Sequence, residues 1–157
     1  MSKTRIIPLG LVTVQTGGDE PEWVKALNGD YPTAIDLSAK RFPRLGELAM
    51  GVVKEELFVV SYGEYFQNND SVAKRHQDDG FTPKSIAHLI AIKDQVPELW
   101  EQKVAYIEAG DPRSFWLNSR GGLCIPYRVC GPDYRGLGAH WVEDDRFGSG
   151  WFLVGKS

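Results

Sequence analysis

The sequence predicts an α+β fold in which helical N-terminal and middle segments pack on a C-terminal antiparallel β meander, with an N-terminal strand. Two observations predict this class. Apolar residues at helical spacing, bounded by proline and glycine, occupy the middle of the chain, whereas short apolar runs separated by glycine turns fill the last third. A chain of 157 residues has the usual length of one domain, so residues 1–157 are predicted to form a single globular domain.

The N-terminal segment, residues 5–15, is predicted to be a strand. Simple alternation places Leu9 and Leu11 on one face and Val12 and Val14 on the other, which suggests that both faces are covered. Proline and glycine interrupt this apolar run and no small-residue cleavage site follows it, so a strand is favoured over a secretory leader.

The segments that follow are predicted to be mostly helical. Pro21 suits the first turn of a short helix at Glu22–Leu27. Apolar spacing predicts a longer helix from Leu45 to about Glu56. Leu57–Tyr62 then either continues this helix or forms a strand, because its β-branched and aromatic residues favour a strand. Residues 68–80 are polar and are interpreted as a loop around a possible short helix.

Two further helices are predicted from the positions of prolines. Thr82-Pro83 has the residue types of a helix N-cap and first helical position, and the helix after it would bury Ile86, Leu89 and Ile90. A second helix is expected at Glu98–Ala109, since a proline precedes it and a glycine follows it.

The last third of the chain is predicted to be β structure. Four short apolar runs are separated by glycine-rich turns, a pattern typical of an antiparallel meander. The runs are Phe115–Leu117, Leu123–Val129, Ala139–Glu143 and Trp151–Val154.

The composition limits the classes of partner. The net charge is −3 and the sequence pI is near 5.6, so the chain lacks the basic excess that gives most nucleic-acid-binding domains their affinity. No segment approaches the ~20 apolar residues of a membrane span. Cys124 and Cys130 would point to one face of a shared strand and could not bridge, so free buried thiols and a cytoplasmic location are predicted.

The most informative feature is a concentration of Trp, Tyr and Arg in the C-terminal third. Arginine binds carboxylates and phosphates through its planar fork, and all three residue types are enriched at protein interfaces. We therefore predict a non-catalytic protein-binding module, such as an inhibitor, immunity factor or adaptor, that docks through an Arg- and aromatic-rich β surface. The predicted partner-binding residues are Trp116, Arg120, Tyr127, Arg128, Arg135, His140 and Trp141.

Two other functions are left open by the same residues. One is a small enzyme or binding domain for an anionic metabolite or nucleotide, in which Arg120, Arg128 and Arg135 hold the anion and His140 acts as acid or base. Such groups would have to converge in a concave pocket. The other is the binding of single-stranded nucleic acid over aromatic side chains, which requires a basic groove.

No cofactor, metal site or catalytic residue is predicted. The spacing of Cys124 and Cys130 exceeds that of the usual zinc motif, and apolar surroundings are expected to keep both thiols unreactive. Alternation along His140–Asp145 leaves no face with three metal ligands, and the polar run His76–Gly80 matches no known ligand spacing.

Overall fold

The computed structural model describes residues 3–16, 41–44, 47–48, 51–96, 99, 104, 106–130, 135–146 and 150–157, without the side chains of residues 93–94, 130 and 135–137. The strands are β1 (Arg5–Thr16), β2 (Gly51–Ser61), β3 (Phe81–Pro83), β4 (Tyr106–Glu108), β5 (Trp116–Leu117), β6 (Leu123–Cys130), β7 (Arg135–Trp141) and β8 (Trp151–Lys156). The helices are α1 (Asn69–Asp78) and α2 (Ile86–Gln95), and a 3₁₀ turn spans Pro112–Ser114.

All of these strands belong to one mixed sheet, in the order β1-β2-β8-β4-β6-β5, with β3 paired to β8 and β7 to β6. Phe152 and Val154 of β8 both pair with β2, while their other edges pair with β4 and β3, so β3 and β4 lie along one edge of β8. Cys124 and Tyr127 likewise place β5 and β4 along the edge of β6 opposite β7. The β4–β8 pair is parallel, and the other pairs are antiparallel.

The predicted fold class is wrong. The N-terminal and middle segments supply strands to the sheet rather than a helical layer, and the described residues contain only two α-helices, of ten residues each. The predicted C-terminal meander is also interrupted, because β8 inserts between β2 and β4. Trp151 and Leu153 are buried on one face of β8, and Phe152 and Val154 on the other. A strand that is apolar on both faces belongs at the centre of a sheet.

The helix predicted from Leu45 to Glu56 is wrong over residues 51–56, which begin β2, and Leu45 lies outside the described residues. The alternative left open for Leu57–Tyr62 is decided in favour of a strand. Leu57 and Val59 are buried in one apolar cluster, and the residues that alternate with them are buried in another. A run buried on both faces has apolar residues at every spacing, so it also satisfies a helical pattern.

The other helix predictions have different outcomes. The one at Glu22–Leu27 lies outside the described residues. The one at Glu98–Ala109 is wrong over Tyr106–Glu108, which form β4 at the centre of the sheet. The helix after Thr82-Pro83 is confirmed as α2, but it begins three residues later than predicted, because residues 81–83 pair with β8.

The short helix considered within residues 68–80 is confirmed as α1. Its N-cap is Asn68, whose side-chain oxygen accepts a hydrogen bond from the backbone N–H of Ser71 at 3.0 Å. This contact satisfies one of the amide groups that a helix leaves unpaired in its first turn.

β1 is confirmed as a strand, but its side chains do not alternate simply. The register with β2 shifts between Pro8 and Gly10, and Gly10 has a φ of 75°, which glycine adopts without strain. This bulge turns Leu9 and Val12 toward the same apolar cluster and leaves Leu11 73% exposed. The prediction that Leu9 and Leu11 share a face is therefore wrong.

Helix α2 covers one face of the sheet, which we call the α2 face. Ile86, Leu89 and Ile92 are enclosed there and belong to a cluster with apolar side chains of β1, β2, β4 and β8, Val14 and Ile107 among them. Burial of each such side chain contributes about 1.5–3 kcal/mol.

Helix α1 covers part of the opposite face, which we call the α1 face. Its buried residues, Val72 and His76, lie against a cluster formed by β2, β3 and β8. A helix is about 10 Å across and neighbouring strands are about 4.8 Å apart, so one helix covers only two or three strands. Ala73 of α1 also lines a small gap with Glu108 of β4 and Ile125 of β6, so the helix reaches one side of Glu108. Among the described helices, none is long and apolar enough to span a membrane.

His76 makes the stability of this layer pH-dependent. Its Nδ1 lies 2.6 Å from the Tyr62 hydroxyl, and burial lowers the pKa of His76 from 6.5 to about 4. Burial also lowers the pKa of His88. Because the unfolded chain binds protons first, stability is complete above pH ~6.5 and is lost as the pH falls toward 4. His76 alone should then cost about 3 kcal/mol.

This loss is measured by urea unfolding at a series of pH values between 7 and 4. The variant His76→Gln should show a shallower decline over the same interval, whatever its stability at pH 7. An identical slope in both proteins would rule out His76 as the source.

Candidate functional site

The α1 face contains a cavity of about 610 Å³. Its walls are formed by side chains of β4, β7 and β8 and of the segment that follows β7, which are distant from one another in sequence. The cavity is lined by Tyr106, Glu108, His140, Asp144, Asp145, Arg146, Gly150 and Phe152.

Glu108 is the centre of the polar wall. Its residue is only 2% exposed, and it lies on the central strand β4, directly opposite Tyr127 of β6 and Phe152 of β8. Oε1 of Glu108 accepts a hydrogen bond from Nε of Arg146 at 2.8 Å and is also hydrogen-bonded to Nε2 of His140. The carboxylate therefore meets two basic side chains at a single oxygen atom.

His140 lies on β7, and the register of β7 with β6 places its side chain on the α1 face. Because a carboxylate only accepts hydrogen bonds, the contact with Glu108 places the proton of a neutral imidazole on Nε2. The other ring nitrogen, Nδ1, is 4.0 Å from Oδ2 of Asp144, beyond hydrogen-bond distance. Nδ1 thus keeps its lone pair, at the wall of the cavity.

Arg146 is held by backbone as well as by side-chain contacts. It exchanges two backbone hydrogen bonds with Phe66, at 2.9 and 2.8 Å, which fasten the segment after β7 to the approach to α1. Its Nη1 donates to the carbonyl of Asp144, and Nη2 is enclosed without a hydrogen-bond partner. The guanidinium is thereby fixed beside Glu108.

Two stacked tyrosines support the wall. The rings of Tyr106 and Tyr127 have centroids 4.7 Å apart at 31°, and Tyr127 also lies 5.7 Å from the imidazole of His140. Burial raises the pKa of the Tyr106 phenol, so this group remains a neutral hydrogen-bond donor. Tyr127 lies across Gly138, where an added Cβ would be 2.6 Å from its ring and hydroxyl.

The structure divides the predicted partner-binding residues between the two faces. Tyr127 and His140 lie on the α1 face beside the cavity, where only His140 forms part of its lining. Strand alternation places Trp116, Arg128 and Trp141 on the α2 face. Arg120 is exposed in the turn between β5 and β6, and the side chain of Arg135 lies outside the described residues.

Arg128 is a buried cation rather than an exposed contact. It is 3% exposed, and it pairs across the sheet with Ile107 of β4. Its Nε and Nη1 are buried without a hydrogen-bond partner. Cys124 is buried and free, and burial raises the pKa of its thiol, as expected for an unreactive cysteine; the side chain of Cys130 is outside the described residues.

Glu108, Arg146 and Tyr106 were not among the predicted site residues. Tyr106 and Glu108 fall in the segment predicted as a helix, and Arg146 follows an acidic run that is typical of a solvated turn. The alternation of Tyr106, Ile107 and Glu108, with one apolar residue between two polar ones, was the signal that would have indicated a strand with a polar face.

A second polar cluster lies at the start of α2, away from the cavity. Nδ1 of His88 is 2.7 Å from Oγ of Ser85, and Nε2 of His88 is 2.7 Å from Oε2 of Glu55. These residue types also occur in nucleophilic triads, but Ser85 has no exposed surface and serves as the N-cap of α2. The cluster therefore stabilises the helix terminus. In the described part of the chain, no group of three or more acidic, His or Cys side chains is arranged to hold a metal.

Comparison of the chain with family models, curated proteins and solved structures found no match. The function is therefore argued from the geometry of the cavity.

Gly138 is predicted to control the position of His140 through Tyr127. In Gly138→Ala the new methyl group would displace the Tyr127 ring, with a loss of about 1–3 kcal/mol of stability from overpacking and a shift of the His140 imidazole NMR signals. Gly150→Ala is the matched control, because its Cβ would lie 3.6 Å from the Tyr106 ring, an ordinary contact.

The double variant Gly138→Ala/Tyr127→Leu should recover part of the lost stability, since the smaller side chain leaves room for the methyl group. Equal effects of Gly138→Ala and Gly150→Ala would contradict the proposed packing.

Proposed function

We propose that the protein binds a small molecule in the cavity of the α1 face and that His140, oriented by Glu108, exchanges a proton with it. The observation that carries the proposal is the buried Glu108 carboxylate, joined to His140 and Arg146 at the wall of a 610 Å³ cavity. Pockets of about 300–1,000 Å³ with a few convergent polar groups are the usual size of small-molecule sites.

The chemistry of the site follows from its hydrogen bonds. Glu108 holds the imidazole of His140 with Nδ1 as a proton acceptor, which is how an acidic residue orients a catalytic histidine. Arg146 holds the Glu108 carboxylate in place through a hydrogen bond from Nε. The neutral Tyr106 phenol can donate a hydrogen bond to a ligand oxygen. His140 thus serves as a general base toward an acidic proton of the ligand, and as a general acid when the proton returns.

This proposal is closest to the second function predicted from the sequence, a small enzyme or binding domain with His140 as acid or base. It differs in the residues that hold the ligand. Arg128 lies on the opposite face of the sheet, and Arg120 does not belong to the cavity lining. The side chain of Arg135 lies outside the described residues, and of the others in that prediction His140 alone lines the cavity.

The proposal predicts that a ligand depends on Glu108 and His140. The protein is incubated with a metabolite extract and separated from free small molecules, and the retained compound is identified by mass spectrometry. Glu108→Gln keeps the shape of the side chain but removes its charge, so it should weaken the hydrogen bond from Nε2 of His140 and reduce retention of the compound. If the compound is converted to a product, His140→Gln should lower the rate by about 10²–10⁴-fold.

Glu143→Gln is the matched control, because Glu143 is exposed on the same segment and does not line the cavity. Retention of the same compound by wild type, Glu108→Gln and His140→Gln alike would overturn the proposal.

A protein-docking module is the second candidate function. The observation in its favour is Trp141, which is 43% exposed at the end of β7 and is braced over Gly122, where its ring leaves no room for a Cβ. A rigid, half-exposed tryptophan is typical of an interface hot spot. The cytoplasmic location predicted from the cysteines suits either candidate.

Docking predicts that Trp141→Ala loses a stoichiometric protein partner in affinity capture, with affinity reduced by about 30-fold or more. Tyr65→Ala is the control, since Tyr65 is also an exposed aromatic residue. Capture of the same partner by wild type and Trp141→Ala in equal amount would exclude Trp141 as an anchor.

A further inference from the structure

The described residues that line the cavity carry more negative than positive charge. Among the described residues of the lining, three carboxylates, Glu108, Asp144 and Asp145, are accompanied by one guanidinium, that of Arg146. The lining is therefore net negative whether or not His140 carries a proton. A cavity with low-dielectric walls concentrates the electric field of the charges that line it. A negatively charged lining therefore favours a positively charged ligand.

The one arginine of the lining is not free to hold an anion. Its Nε donates to Glu108 and its Nη1 to the carbonyl of Asp144. The third nitrogen, Nη2, is enclosed and has no surface that a ligand could reach. An anionic ligand would thus meet three carboxylates without gaining an accessible guanidinium.

The carboxylate of Asp144, by contrast, is available. Its side chain is 52% exposed, and its Oδ2 lies 4.0 Å from Nδ1 of His140, beyond hydrogen-bond distance. Asp145 accepts a hydrogen bond from the Tyr65 hydroxyl at 3.1 Å, a neutral donor that leaves its charge uncompensated. These two carboxylates lie on the segment between β7 and Arg146 and line the cavity together with the enclosed Glu108.

The remaining walls are aromatic. Tyr106 and Phe152 line the cavity together with the ring of His140. The faces of such rings attract a positive charge, most strongly when water is excluded. A lining that contains both carboxylates and aromatic rings is complementary to a molecule with a cationic group attached to an apolar one.

We propose that the ligand of this cavity is an organic cation, an amine or amidine attached to an apolar or aromatic group, held by Asp144 and Asp145 and packed against Tyr106 and Phe152. This inference rests on the proposed function and names its substrate class. The cationic nitrogen then lies within reach of Nδ1 of His140, the proton acceptor of the site.

The proposal is tested with three probes of equal size and different charge: benzylamine, benzyl alcohol and benzoate. Binding is followed by the NMR signals of Tyr106, Phe152 and His140 during titration of the full chain. Benzylamine should bind at least about tenfold more tightly than benzyl alcohol, and benzoate should be the weakest. The affinity for benzylamine should fall as salt is added, since the carboxylates of Asp144 and Asp145 are exposed to solvent.

Asp144→Asn should weaken benzylamine binding about fivefold, the effect expected of one charge at about 4 Å in an aqueous environment. Glu143→Gln is the matched control and should change the affinity less than twofold. Circular dichroism of both variants verifies the fold. Equal effects of the two substitutions would overturn the assignment of Asp144.

The outcomes separate the two proposals. Equal or tighter binding of benzyl alcohol or benzoate would overturn the cationic class but leave the cavity as a binding site. Failure of benzylamine to perturb any lining residue would also overturn it. If all three probes fail and the metabolite screen retains no compound, the proposed function fails with it.

Discussion

The burial of Glu108 is the constraint on which the rest of the site depends. Enclosing a carboxylate without partners costs several kcal/mol, so a central strand can carry one only where basic groups meet it. Arg146 and His140 provide them from segments more than thirty residues away in the sequence. The position of β4 between β8 and β6 brings the three together. The pairing of β4 with β6 also places Glu108 opposite Tyr127, so one strand pair positions both the carboxylate and the aromatic ring that supports the cavity wall.

Because successive side chains of a strand point to opposite faces of the sheet, the strand register decides which residues can act together. Tyr127 and Arg128 are neighbours in the sequence, but β6 turns the first toward the cavity and the second into the α2 face. Glu108 and Arg128 are both buried charges, yet the sheet lies between them, so they cannot pair. The guanidinium of Arg128, whose Nε and Nη1 are buried without a hydrogen-bond partner, must therefore cost stability.

Much of the secondary structure could be predicted from the sequence, and the fold could not. The β-runs of the last third, the N-terminal strand and helix α2 follow local patterns of apolar residues, turns and caps. The central strand β4 has only three residues, and its flanking proline and glycine also suit a helix. The insertion of β8 between β2 and β4 depends on long-range pairing, which no local pattern records.

The site could be predicted only in part for the same reason. His140 and Tyr127 stand out by residue type, because their region is rich in aromatic residues and arginine. The sequence around Glu108 gives no such signal. The role of Glu108 depends on the side chains that contact it, and these can be identified only when the strand order is known. Even with the strands known, the bulge at Gly10 and the inserted β8 show that register, rather than composition, decides which side chains meet.

The two groups of cavity residues differ in how firmly the fold holds them. His140 and Glu108 project from paired strands, and Tyr127 is pressed against Gly138, so the proton-transfer group is built on rigid elements. Arg146 joins this group through its two backbone hydrogen bonds to Phe66. Within the described part of the chain, Asp144 has no comparable side-chain restraint, and its side chain is half exposed. In the proposed function, the paired strands fix the proton-transfer group, whereas Asp144 and Asp145 recognise the ligand. Substitutions of these two carboxylates should therefore alter ligand preference before they alter proton transfer.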